Sequence, residues 1–152
     1  MRQLAAATLA LALALPASAH EDHAPDVSDP ISLRMTAMTQ VGKGIGTLVR
    51  MARGEEPFSA PLAEMSLRAM LAAGAGYGAL FPEGTEQGHG TEAAPAIWSD
   101  REGFEAELAE YLAVLDAQLE SPPAAQADLG ATLGAVGATC RSCHEGYRVE
   151  RN

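Results

Sequence analysis

Cys140 and Cys143 are the only cysteines in the chain, and His144 follows the second directly, giving Cys140-Arg141-Ser142-Cys143-His144. On a helix, positions i and i+3 share one face, so both thiols can reach the two vinyl groups of a single haem. The next residue, at i+4 from the first thiol, can turn its imidazole toward the iron. The C-x-x-C-H pattern therefore predicts a covalent haem c on Cys140 and Cys143, with His144 as one axial ligand. Other chemistries compete. A disulfide between the two thiols closes a loop too short to add much stability. A thioredoxin-like dithiol calls for a βαβ unit near the motif, and none is visible. An exported dithiol oxidoreductase without haem is the distant form of that reading, and it predicts a colourless protein. Zinc needs more ligands nearby. The remaining histidines, His20, His23 and His89, sit in a polar tail and in a Gly-flanked loop.

Thioether attachment follows secretion, and the N-terminus carries the matching address. Residues 1–19 read MRQLAAATLALALALPASA: a basic Arg2, an apolar run from Leu4 to Leu15, Pro16, then Ala17-Ser18-Ala19. This is the pattern of a signal peptide cleaved after Ala19. The run is short of the roughly 20 apolar residues that a membrane-spanning helix needs. The expected organisation is a signal peptide over 1–19, a flexible polar leader over 20–28, and one haem domain over 29–152. The expected location is the periplasm, with no membrane association after cleavage. The full chain has 10 basic and 20 acidic residues, and loss of Arg2 makes the mature protein more acidic still. With no basic stripe, nucleic acid is not expected as a partner. Acidity suits solubility and a basic redox partner.

The elements that must position the motif read as helices. Asp29-Pro30 is an N-cap followed by Pro at the first helical position. Met38, Val41, Ile45, Leu48 and Ala52 then recur at helical spacing, and Arg53-Gly54-Glu55-Glu56-Pro57 ends the segment. Gly42, Gly44 and Gly46 lower its intrinsic propensity and permit a bulky group to approach the backbone. A second helix is expected over 59–75, with Leu62, Met65, Ala69 and Ala73 on one face. A long irregular stretch follows over 74–100, and a loop of that length in a small domain has a partner to pack on. A third helix, capped by Ser99 or Asp100, aligns Phe104, Leu108, Tyr111, Leu115 and Leu119. After Ser121-Pro122-Pro123, a fourth aligns Leu129, Leu133, Val136, Cys140, Cys143 and Tyr147. No segment alternates like a strand. The expected class is all-α, a four-helix bundle. Three Phe, three Tyr and one Trp supply little aromatic mass, and a haem would itself be a large apolar core element.

The motif stands close to the C-terminus, and with its surroundings it resembles the class II c-type cytochromes, the group of cytochrome c′ and cytochrome c-556. The resemblance rests on Arg34 with Met38, Gly42-Lys43, Phe81-Pro82-Glu83-Gly84, Pro95-Ala96-Ile97-Trp98, and Val136-Gly137 leading into the haem motif and Tyr147-Arg148. It spans about residues 29–148. It implies an up-down-up-down bundle with haem in the core. It also implies that the residue four after Arg34, Met38, faces the distal side of the iron. Residues 34–43, RMTAMTQVGK, resemble the run found in the low-spin cytochromes c-556, where that residue is methionine. The expected function is accordingly electron transfer by a six-coordinate, low-spin haem with His144 and Met38 as axial ligands, and no enzymatic turnover. The alternative is a high-spin cytochrome c′ that binds nitric oxide or carbon monoxide at an open distal site, with Met38 as ordinary core packing. Met35, Met51, Met65 and Met70 are read as core filler. The resemblance further implies that Arg34 lies near a haem propionate, Arg148 near the proximal face and Trp98 near the haem. The expected partners are redox proteins, and the chain is expected to be a monomer or a homodimer.

Overall fold

The computed structural model describes residues 28–149. The expected signal peptide and residues 20–27 of the expected leader lie outside the described residues. Four long helices dominate: α1 Pro30–Ala52, α2 Ala60–Gly74, α4 Arg101–Glu120 and α5 Leu129–Tyr147, with the single-turn α3 Ala96–Ser99 before α4. 3-10 turns at Tyr77–Leu80 and Gln126–Asp128 complete the regular structure. No strand forms among the described residues; an isolated antiparallel bridge joins Ala93 and Arg148.

Local chemistry fixes the helix ends. The Asp29 carboxylate accepts from the Ile31 and Ser32 amides at 3.2 and 2.9 Å, satisfying donors that α1 leaves open. These bonds hold the Asp29 carboxyl below its ordinary pKa, the Ser32 hydroxyl contributing most. At the other end Gly54 adopts φ +72°, its amide donates to Met51 O, and Glu55 N donates to Arg50 O. This reversed pair of bonds closes α1, and the left-handed backbone favours glycine there. Ser59 caps α2 and Asp100 caps α4.

α1 packs on α2, α2 on α4, α4 on α5, and α5 back on α1, which makes an all-α, antiparallel four-helix bundle. The main core joins Val41, Leu48 and Met51 of α1 with Ala63, Leu67 and Met70 of α2, Tyr111 and Leu115 of α4, and Leu129 and Val136 of α5. A second cluster, Phe81, Ile97 and Phe104, is built from the 74–100 stretch and the start of α4. Tyr77, Trp98 and Tyr147 pack around it through edge-on and tilted ring contacts 5.2–5.8 Å apart.

Two expectations are corrected. The buried face of α2 is Ala63, Ser66, Leu67, Met70 and Gly74, not Leu62, Met65, Ala69 and Ala73. A one-residue shift rotates a helix by about 100°, and the small residues Ala63, Ser66 and Gly74 permit the closer approach. Ser66 is buried without cost because its hydroxyl donates to Leu62 O at 2.8 Å. Of the methionines read as filler, Met51 and Met70 are fully buried, but Met65 is 60% exposed and Met35 43% exposed.

Candidate functional site

α5 delivers the motif residues. Cys140 borders the main core and Cys143 borders the aromatic cluster, so one turn of helix touches both apolar masses. Between those masses lies a cavity of 660 Å³. Its wall brings together Cys140, Cys143 and His144 with Met38, Arg34 and Arg148. Val41 and Tyr111 line it from one side and Phe81, Ile97 and Phe104 from the other. Residues separated by about a hundred positions in sequence thus face one mostly apolar space, within the usual size range of a ligand pocket.

The electrostatics of the wall suit a neutral, desolvated environment. Burial pushes both thiols above their ordinary pKa, and the nearby Glu107 carboxylate helps raise Cys143 to about 11. Partial desolvation of the ring against the wall, then the Arg148 charge, pushes the His144 imidazole down although the residue as a whole is exposed, while Glu92 opposes them. A neutral imidazole keeps the lone pair that a metal requires. His144 itself is exposed at the cavity wall. Glu107, on the same wall, accepts from the Ser142 hydroxyl at 2.7 Å and so ties α4 to the motif.

Arg34 is 2% exposed, and among the described residues no carboxylate lies within ion-pair distance of it. Its Nη2 donates to Thr85 O at 2.7 Å and Thr91 Oγ1 at 2.9 Å; Nη1 donates to Thr85 Oγ1 at 3.2 Å and reaches Leu80 O at 3.5 Å. The guanidinium lies over the Phe81 ring at 4.7 Å and the Trp98 ring at 5.7 Å. Its Nε is buried with no hydrogen-bond partner among the described residues. A cation on the cavity wall with one donor unused fits an anionic group entering the cavity.

Four features meet the needs of a covalent haem: two thiols one helical turn apart, an imidazole beside them, an apolar slot, and a buried cation with a spare donor. Each of the residues expected to hold or flank the haem lines the cavity except Trp98. Trp98 stands one layer back, against Phe81, with Nε1 donating to Pro82 O at 3.2 Å. Its part is to anchor the loop that carries the wall. Sequence reasoning missed Glu107 and Tyr77 as wall residues. Glu107 falls between Phe104 and Tyr111 of the apolar stripe, and a charge bordering such a stripe is the signal that pointed to it.

The sequence matches the family Cytochrome C′ over residues 29–148. Among curated relatives, cytochrome c′ of Rubrivivax gelatinosus is 34% identical over 123 residues, 79% of this chain and 94% of the relative. Cytochrome c-556 of Agrobacterium tumefaciens strain B2A is 32% identical over 121 residues, 80% of this chain and 98% of the relative. Among solved structures, cytochrome c′ from Rhodopseudomonas palustris aligns with a TM-score of 0.76 at 30% identity, covering 82% of this chain and 98% of the other.

Proposed function

The chain belongs to the cytochrome c′ family and so carries a covalent haem c, and from that premise we propose that it is a periplasmic electron carrier with a six-coordinate haem ligated by His144 and Met38. Bound iron supplies the chemistry, a one-electron cycle between ferric and ferrous states. The observation that carries the reading is Met38 on the cavity wall, half-buried in α1, while the C-x-x-C-H residues stand on the wall from α5.

The chain's own residues then divide the work. Cys140 and Cys143 would hold the haem through thioethers, and the neutral His144 imidazole would offer its nitrogen to the iron. Met38 would offer a thioether sulfur as the second protein ligand, a pairing that raises the reduction potential. Arg34 and Arg148 place positive charge beside the cavity, and Phe81, Phe104 and Tyr111 exclude water. The acidic surface favours a basic redox partner, with steering that weakens as salt rises. Export rests on the 1–19 segment; no helix among the described residues is long and apolar enough to cross a membrane.

The second reading, a high-spin cytochrome that binds gases, is favoured by the similarity to cytochrome c′ of Rubrivivax gelatinosus, which is at least as great as that to the cytochromes c-556. One measurement separates the two: optical spectra of the ferric and ferrous protein, with and without carbon monoxide. A low-spin spectrum with slow or no carbon monoxide binding, converted by Met38→Ala to a high-spin spectrum that binds it readily, is the expected result. A wild-type protein that is high-spin and binds carbon monoxide at once, or a Met38→Ala protein that stays low-spin, removes Met38 as the ligand.

A further inference from the structure

Arg34 and the C-terminal end of α5 are joined by a continuous run of bonds that bypasses the helix packing. From Arg34 Nη2 the path goes to Thr91 Oγ1 at 2.9 Å, an atom that also accepts from Ala93 N at 3.2 Å. Two backbone bonds then cross to α5 and the residues after it: Ala94 N donates to Tyr147 O at 3.0 Å, and Val149 N donates to Glu92 O at 2.8 Å. Arg34 lies one turn before Met38, and Tyr147 lies three residues after His144. The two ends of this path therefore flank the two sides of the cavity.

α1 and α5 also meet directly in the main core. Leu48 and Met51 of α1 share the main core with Leu129 and Val136 of α5. Arg34, Met38 and Gly42 on α1 and Gly137, Cys140, His144 and Tyr147 on α5 line the cavity, with Met38 and Cys140 also packed against that core. Along the cavity both helices contribute wall residues, and the hydrogen-bonded 91–94 segment joins them there in addition to the core packing.

We propose that residues 91–94 form a bracket that sets the spacing between α1 and α5 across the cavity, with Arg34 and Thr91 as its positioning residues. The bracket ties the helix of the distal side to the helix of the proximal side through a short hydrogen-bonded segment. Its consequence for ligation rests on the His144/Met38 reading above. The buried guanidinium suits this role because it anchors one end without a flexible carboxylate: its Thr85 O and Thr91 Oγ1 acceptors are held within one loop, and the ring faces of Phe81 and Trp98 restrict its plane.

The test uses the haem-loaded full chain with Thr91→Val, which keeps the side-chain shape and removes the shared acceptor, and Arg34→Gln. Amide hydrogen exchange is followed at Ala94 and Val149, with Leu67 and Leu115 as core controls, together with the rate of carbon monoxide binding to the ferrous protein. Thr91→Val is expected to speed exchange at Ala94 and Val149 about tenfold, with the core amides unchanged. Carbon monoxide binding is expected to rise by about the same factor, equivalent to about 1.4 kcal/mol. A merely structural role would lower protection throughout and leave the binding rate alone. Unchanged exchange at Ala94 and Val149 overturns the bracket. Faster exchange with an unchanged carbon monoxide rate overturns its positioning role. Should Arg34→Gln fail to fold, Thr91→Val alone decides. A wild-type protein that is already high-spin defeats Met38 ligation and with it the carbon monoxide arm, and the exchange rates at Ala94 and Val149 then judge the bracket by themselves.

Discussion

Two glycines two residues apart in α1 should respond to the same substitution with opposite signs. A Cβ built on Gly44 lies 2.5 Å from Met70 Cγ, 2.8 Å from Met70 Sδ and 3.2 Å from Ser66 O. Carbon atoms in good contact sit about 3.5–4.0 Å apart, so the overlap with Met70 is about 1 Å. Met70 is flexible, but it is fully buried and has little room to move. Ser66 O is α2 backbone, and relieving that contact requires α1 and α2 to part. Overpacking of this kind costs about 1–3 kcal/mol. Alanine returns about 0.5–1 kcal/mol by its better helix propensity. The net expectation for Gly44→Ala is a loss of about 1–2 kcal/mol, a fall in Tm of roughly 4–8 °C for a domain of this size. At Gly46 the neighbour within reach of a Cβ among the described residues, beyond the helix's own backbone, is Arg50 Nη1 at 3.5 Å, an ordinary contact with the end of a long side chain. Gly46→Ala should therefore stabilise the protein by about 0.4–1 kcal/mol. The assay is thermal unfolding by far-ultraviolet circular dichroism on proteins of equal haem content. Adding Met70→Ala to Gly44→Ala should cost about 1 kcal/mol less than the sum of the single changes, since the two sites share one space. A Gly44→Ala protein that melts at or above the wild type would refute the close-packing argument.

Further outcomes follow from the site and its supports. Cys140→Ser should leave haem attached through Cys143 alone, and Cys140→Ser with Cys143→Ser should leave haem extractable by acid and organic solvent; mass spectrometry of the washed protein reads both. The Tyr147 hydroxyl donates to Asp100 Oδ2 at 2.7 Å, and that bond leads the causes that raise its pKa to about 12. Because the folded value lies above the ordinary value of 10.0, the contribution is fully present below pH 10 and is lost as pH rises toward 12. Melting curves across that window should show less alkaline loss in Tyr147→Phe than in the wild type. Asp29 has the opposite sign: its carboxyl is lowered from 3.8, so its contribution is present above that value and fades as pH falls below it. Asp29→Asn should flatten that part of the acid limb of the Tm profile.

Much of this protein is legible in one dimension because its information is local. Asp29-Pro30, Gly54 and Asp100 mark helix ends through bonds to residues two to five positions away, and the apolar stripe of α4 is an unambiguous helical period. The C-x-x-C-H spacing is likewise a property of one helix turn, so it predicts a haem without any knowledge of the fold. The face of α2 is different. Its Leu62–Ala73 and Ala63–Gly74 stripes are neighbours on one cylinder, and the choice between them is made by the small residues that let α1 and α4 approach. The charge on Arg34 is legible in the sequence, but its burial depends on Thr85 and Thr91, more than fifty positions away, closing around it. Trp98 reads as a neighbour of the haem, yet tertiary packing sets it behind Phe81, because a loop side chain has no periodicity to fix its direction. Met38 and His144 lie more than a hundred residues apart in sequence, and only the folded bundle brings both to the wall of one cavity. Sequence by itself determined the four long helices, their ends and the attachment chemistry, which depend on contacts within a turn or two, but not the short turns Tyr77–Leu80 and Ala96–Ser99 inside the expected irregular stretch. The tertiary structure alone decided which faces pack and what surrounds the cavity, since those depend on the volumes of residues that meet only after folding.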